Sequence, residues 1–192
     1  GTSDNKALEI FNGTGVPVAL HNYGIRLQLN NTTDWGDYEE LPNQILNPGD
    51  TFVIVNSAAA AGILAVADWT NNNVCLFNGD DSVFLMKGIG EETPVDAVGF
   101  SPSGGNYYMD VTLRRYTSVT NSASTYDTME WESLAANTIA GLGTHSMDGS
   151  LGKNMRFTTD DDDVEGPEIS NVLVCTNTPS ASSPGADILL AD

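Results

Sequence analysis

Val74-Cys75-Leu76-Phe77-Asn78-Gly79-Asp80-Asp81-Ser82-Val83-Phe84-Leu85-Met86-Lys87 sets two apolar runs on either side of a polar turn. Asn and Gly tolerate the positive φ of a tight turn, so the stretch predicts strand, turn and strand. Similar punctuation recurs along the chain. Ala7–Phe11 is apolar in part alternation and ends at Asn12-Gly13-Thr14-Gly15. Val16–Leu20 follows. Ile25, Leu27 and Leu29 alternate with Arg26 and Gln28, the period of a half-buried strand. Asn47-Pro48-Gly49-Asp50 is a turn, and Thr51–Val55 behind it is nearly all β-formers, as in a central strand. Val95–Phe100, Val111–Tyr116 and Met129–Ser133 add further strands. One short helix is predicted near 57–67, with Ser57 as N-cap and Ala58–Ala61 opening the run. Strands every 8–15 residues with so little helix indicate an all-β sandwich.

The chain has 192 residues, of which 26 are acidic and 7 basic, for a net charge of −19. That surface repels phosphate backbones and anionic membranes, which argues against direct nucleic-acid binding. No apolar run reaches the length of a membrane-spanning helix. The opening Gly1-Thr2-Ser3-Asp4 reads as a trimmed start, so the absence of a leader carries no weight. Few Lys and many Asn, Thr, Ser and Gly fit an exported module. The texture changes after His145. Residues 147–192 carry nine acidic and two basic residues, and a boundary is placed near 147. On this division 1–146 is a β-sandwich. The segment 147–192 is an acidic linker with C-terminal strands, which either pack on the first unit or begin a second β module. Cys75 and Cys175 each sit in an apolar run. They read as two buried small hydrophobes or as a disulfide tying the tail to the body. No second Cys or His stands at zinc-ligand spacing.

Six stretches together carry a family resemblance. Leu8–Gly15 resembles the opening strand and turn of the lamin-tail domain in its bacterial form. Tyr23–Leu27 resembles its second strand region, Leu46–Ile54 its proline-glycine turn into the central strand, and Phe77–Leu85 its hairpin. Val95–Gly99 resembles the next strand. Leu113-Arg114-Arg115, Glu130-Trp131 and Leu142–Ser146 resemble the closing segment. The resemblance covers about residues 5–146. It implies an immunoglobulin-like β-sandwich that is itself non-catalytic. In bacteria such domains are parts of larger exported proteins, sometimes beside surface nucleases or phosphatase-like domains. No heptad repeat accompanies it here, so the rod and filament assembly of nuclear lamins are not implied. Phe157–Asp163 with Gly166–Val172 resembles, over a shorter span, a junction between tandem β-sandwich modules of exported bacterial proteins.

Candidate chemistry is sparse. Asp80 and Asp81 are adjacent and belong to a turn, where Asp side chains bond nearby backbone N–H groups. A catalytic carboxylate pair must instead straddle its substrate. Asp161, Asp163 and Glu165, followed by Gly166, mimic the first half of a calcium loop. The second half departs from it, with Pro167 stiffening the turn and Val172 where the bidentate Glu belongs, so any calcium bound there is bound weakly. His21 and His145 are the only histidines, and no Gly-x-Ser-x-Gly elbow or phosphate-cradling loop followed by Lys accompanies them. Trp35, Tyr107 and Tyr108 lie in loops, where aromatic rings stack on sugars or anchor protein partners. The expected function is therefore a non-enzymatic interaction or spacer module of a larger exported bacterial protein, extracellular, at the cell surface or periplasmic, contacting protein or carbohydrate. An accessory domain presenting substrate to a neighbouring nuclease or other hydrolase, and a calcium-stabilised structural module, are the alternatives.

Overall fold

A computed structural model describes residues 4–30, 32–90, 92–99 and 109–148, with the backbone of 171–173 and 187–188. Within them the chain is an immunoglobulin-like β-sandwich with one short helix. The first sheet contains β1 (Ala7–Phe11), β6 (Thr51–Val55), β7 (Trp69–Thr70) and β12 (Asn171–Leu173), in the order β12-β1-β6-β7. The second contains β3 (Tyr23–Gln28), β4 (Glu39–Glu40), β8 (Ser82–Lys87) and β9 (Thr93–Val98), in the order β4-β3-β8-β9 and antiparallel throughout. A smaller sheet is formed by β10 (Val111–Arg115), β11 (Trp131–Ala135) and β13 (Asp187–Ile188). The strands β2 (Val18–Ala19) and β5 (Ile45–Leu46) pair separately.

Alternation places the core. Leu8 and Ile10 lie opposite Ile54 and Phe52, and Ile25 and Leu27 lie opposite Leu85 and Val83. Cross-strand partners share a face, so each group makes one apolar surface, and both surfaces belong to a single buried cluster. All five residues of β1 are buried, because its second face is covered too. Gly143 donates its backbone N–H to Glu9 at 2.5 Å, and His145 packs edge-on against Phe11 at 4.8 Å. The outer face of the second sheet holds a smaller cluster of Phe84, Met86 and Ala97, roofed by Tyr38. Gly24 makes that roof possible: a Cβ there would stand 2.3 Å from the Tyr38 ring.

The stretch 74–87 departs from the predicted hairpin. Ser82–Lys87 is the strand β8, but its partners are β3 and β9, and Val74–Leu76 is a 3₁₀ turn. The cause lies just upstream. Asn71 Oδ1 accepts the N–H groups of Asn73 (2.8 Å) and Val74 (3.0 Å), and its carbonyl accepts Cys75 N–H (3.1 Å). These local bonds offer the backbone an alternative to a strand ladder. Neither Asn78 nor Gly79 has a positive φ. Gly79 is required by proximity instead, since a Cβ there would lie 2.9 Å from the Met109 backbone nitrogen.

The helix α1 is Ala61–Leu64, shorter than predicted, and Ala60 rather than Ser57 stands at its N-cap. Asn56 Oδ1 takes Ala58 N–H (2.9 Å) and Asn5 Oδ1 takes Ala60 N–H (2.7 Å), so the first turn is spent on side-chain acceptors. Beyond the helix, Asp68 returns the chain to β6. Its N–H donates to the Val53 carbonyl (2.9 Å), and its carboxylate accepts Val53 N–H (2.8 Å).

One buried ionic cluster fastens β9 to β10. Arg115 donates to Asp96 at 2.5 and 3.0 Å and to Glu130 at 2.8 Å, and its guanidinium lies 4.8 Å from the Trp131 ring centroid. Arg115 is 1% exposed and Asp96 0%. Burial pulls the Arg115 pKa down, but the Asp96 charge and the hydrogen bonds to Asp96 and Glu130 outweigh it, and the net shift is upward. Asp96 also accepts Ala97 N–H at 2.9 Å and Ala123 N–H at 3.3 Å.

Asp96→Ala is expected to cost about 3–5 kcal/mol in urea unfolding, because it strands a buried guanidinium. The paired Asp96→Leu, Arg115→Met variant is expected to lose much less. Gly79→Ala and Gly79→Asn should both destabilise by roughly 1–3 kcal/mol. A positive-φ turn would instead have tolerated Asn, and the same unfolding measurement separates the two cases.

Candidate functional site

Side chains that invited a chemical reading from the sequence are mostly occupied with structure. Asp81 is 3% exposed and accepts the N–H groups of Asn30 (2.6 Å) and Asn78 (2.7 Å). It ties the loop after β3 to the loop before β8. Burial pushes its pKa up, against those two hydrogen bonds. Its ionised form therefore subtracts stability at neutral pH, and the penalty lifts as pH falls through the raised pKa. Asp80 N–H is held by Asn78 Oδ1 at 3.1 Å. Cys75 is a free, fully buried thiol 3.6 Å from the Ile54 carbonyl, and burial raises its pKa strongly. Cys175, Tyr107, Tyr108 and the acidic set Asp161, Asp163 and Glu165 lie outside the described residues. Among the described residues no three His, Cys, Asp or Glu side chains converge as metal ligands.

Trp35 is 45% exposed. Its ring meets Phe84 edge-on at 4.8 Å, so it rides on the smaller cluster of the second sheet. The loop carrying it is fixed from below: Gly36 N–H donates to the Leu27 carbonyl (2.8 Å), and Arg26 donates to the Gly36 carbonyl (3.0 Å) and to Glu92 (3.2 Å). Tyr38 donates to the Gly88 carbonyl at 2.9 Å and lies under the Arg26 guanidinium. Burial, then the charges of Glu92 and Glu40, push the Tyr38 pKa up to about 12.

Below this loop, where β3 and β4 meet the 3₁₀ turn at Val74–Leu76, lies a cleft of about 290 Å³. Its apolar lining includes Leu27, Leu29, Val74 and Leu76, and its polar lining Asp37, Glu39 and Asn73. Glu39 Oε1 accepts Asn73 Nδ2 (2.7 Å) and Oε2 accepts Asn71 Nδ2 (3.0 Å). The sequence reading missed this site. Glu39-Glu40 is a two-residue strand without alternation, and Asn71-Asn72-Asn73 carries no motif. A wider groove of about 590 Å³ runs between β2, β5 and the end of β8, with Ile45 and Ile89 exposed at its lips.

In a spectrophotometric titration Tyr38 should ionise near pH 12, and a Tyr38→Phe variant should lose that step. The native pKa lies above the unfolded value of about 10. The Tyr38 contribution is therefore fully present below pH 10 and lost as pH rises through the native value. Native iodoacetamide labelling mapped by mass spectrometry should leave Cys75 unmodified, whereas unfolded chain should label fully.

The lamin tail domain family model matches residues 1–102, more than half of the chain. No curated protein and no solved structure matched it. The match spans β1 to β9, including both four-stranded sheets apart from β12 and the cleft at Glu39. The resembling motifs at Leu113–Arg115, Glu130-Trp131 and Leu142–Ser146 lie beyond it. By that match the chain belongs to the lamin tail domain family.

Proposed function

We propose that the chain is a non-catalytic interaction or spacer module of a larger exported bacterial protein, working extracellularly, at the cell surface or in the periplasm. The observation that carries this reading is the use to which the buried ionisable groups are put. Asp96, Arg115, Asp81 and Glu9 each hold backbone or a partner charge across elements of the sandwich. Catalysis needs ionisable groups aimed at a substrate rather than at the fold. Family membership points the same way.

Asp37 and Glu39 share the wall of one cleft, and paired carboxylates are the arrangement that would argue for chemistry. Glu39, however, has both oxygens engaged by Asn71 and Asn73, and much of the remaining lining is aliphatic. That composition suits recognition better than proton transfer.

The test is a turnover panel on the isolated chain with phosphomonoester, phosphodiester, glycoside and peptide substrates. No turnover above buffer is expected. Turnover abolished by Glu39→Gln would overturn the reading. The same panel on the full-length polypeptide separates a plain spacer from an accessory domain: removal of this chain should raise KM for a neighbouring hydrolase only in the accessory case.

A further inference from the structure

The cleft beside β4 carries a charge where the fold alone calls for none. Glu39 and Ile25 are partners across the β3–β4 ladder, so their side chains leave the same face of the sheet. That is the inward face, on which Ile25 is fully buried. An edge strand therefore directs a carboxylate toward the mouth of the core. Asn71 and Asn73 fix its position through neutral amides, which bring no compensating charge. Asp37, exposed on the same wall, has no hydrogen bond or ion pair among the described residues. Leu27, Leu29 and Leu76 line the same cleft, and Leu76 is 56% exposed.

We propose that this cleft binds a lysine side chain presented on an extended segment of a partner protein. The proposal rests on the reading of the chain as an interaction module and names its contact. Lysine is a compact ammonium on a four-carbon stem, and its stem lies along apolar surface while its head seeks charge. Here the stem would cross Leu27, Leu29 and Leu76, and the ammonium would reach Glu39 and Asp37. Four of the described basic side chains are already engaged. Lys6 caps the Leu76 carbonyl at 3.2 Å, Arg26 pairs with Glu92, Arg114 binds the Ala140 carbonyl and Arg115 pairs with Asp96. A net charge of −19 disfavours a second copy of the chain as occupant and favours a basic partner.

The competing account is that Glu39 only guards an edge, since inward-pointing charges on edge strands discourage strand addition. The test is an amide chemical-shift titration of the labelled chain with three probes. These are Nα-acetyl-lysine methylamide, its norleucine counterpart, which keeps the stem without the charge, and its Nε-acetylated form. The lysine probe is expected to shift the amides of Leu27, Glu39 and Leu76, and to bind at least about fivefold more tightly than the other two. Glu39→Gln and the exposed Asp37→Asn should each weaken lysine binding roughly two- to fivefold. Added salt should weaken it further. Equal binding of lysine and norleucine, shifts elsewhere on the surface, or a Glu39→Gln variant that keeps lysine affinity while self-associating would each overturn the proposal. An unresponsive cleft beside an inert turnover panel removes this contact and leaves the non-catalytic reading in place, whereas turnover removes that reading itself.

Discussion

The Asp96–Arg115 pair is the constraint on which the far side of the molecule depends. β9 is an edge of the second sheet, and β10 belongs to a different sheet. Backbone ladders do not join them. The guanidinium does, with Glu130 and the face of Trp131 completing its surroundings. Two charges removed from water stabilise only when geometry and secondary hydrogen bonds repay desolvation. Asp96 meets that condition by also accepting Ala97 and Ala123 N–H groups. It thereby holds the Ala97 N–H of an edge strand that also contains Pro94, and ties that strand to the segment at Ala123.

The same cluster explains how the chain beyond the family match becomes part of the sandwich. Residues 109–148 meet the matched region at several separate points. These are Arg115 on Asp96, the Gly143 N–H on Glu9, His145 on Phe11, and the Met109 backbone against Gly79. The contacts differ in kind but share an effect: each satisfies or covers a group on β1, β8's leading loop or β9 that would otherwise face water. The fully buried pattern of β1 follows from this second cover.

Legibility followed sequence distance. Ala7–Phe11 and Thr51–Val55 form strands with the predicted bounds, because dense apolar and β-branched residues dominate locally. Of the alternation read at Ile25, Leu27 and Leu29 against Arg26 and Gln28, Ile25 and Leu27 do face the core, but Gln28 is buried as well, its amide donating to the Thr33 carbonyl at 3.1 Å. The hairpin at Asn78-Gly79 did not form, because Asn71 competes for the backbone of Asn73 and Val74 from outside the apolar run. The helix shortened for a related reason, with Asn5 reaching across more than fifty positions to take the Ala60 N–H. The cleft was invisible at sequence level because its walls come from residues 25–39 and 73–76, and neither carries a motif.

By itself the sequence determined an all-β immunoglobulin-like sandwich of the lamin tail family and an acidic surface. These properties are carried by local periodicity, composition and ordered short motifs. Only the tertiary structure decided what the polar residues do. Asp81 proved to be a loop tie, Asp96 and Arg115 a clasp between sheets, and Glu39 an inward carboxylate beside an aliphatic wall. The physical reason is that a charge takes its role from burial and from partners distant in sequence, and neither is written in its immediate neighbours.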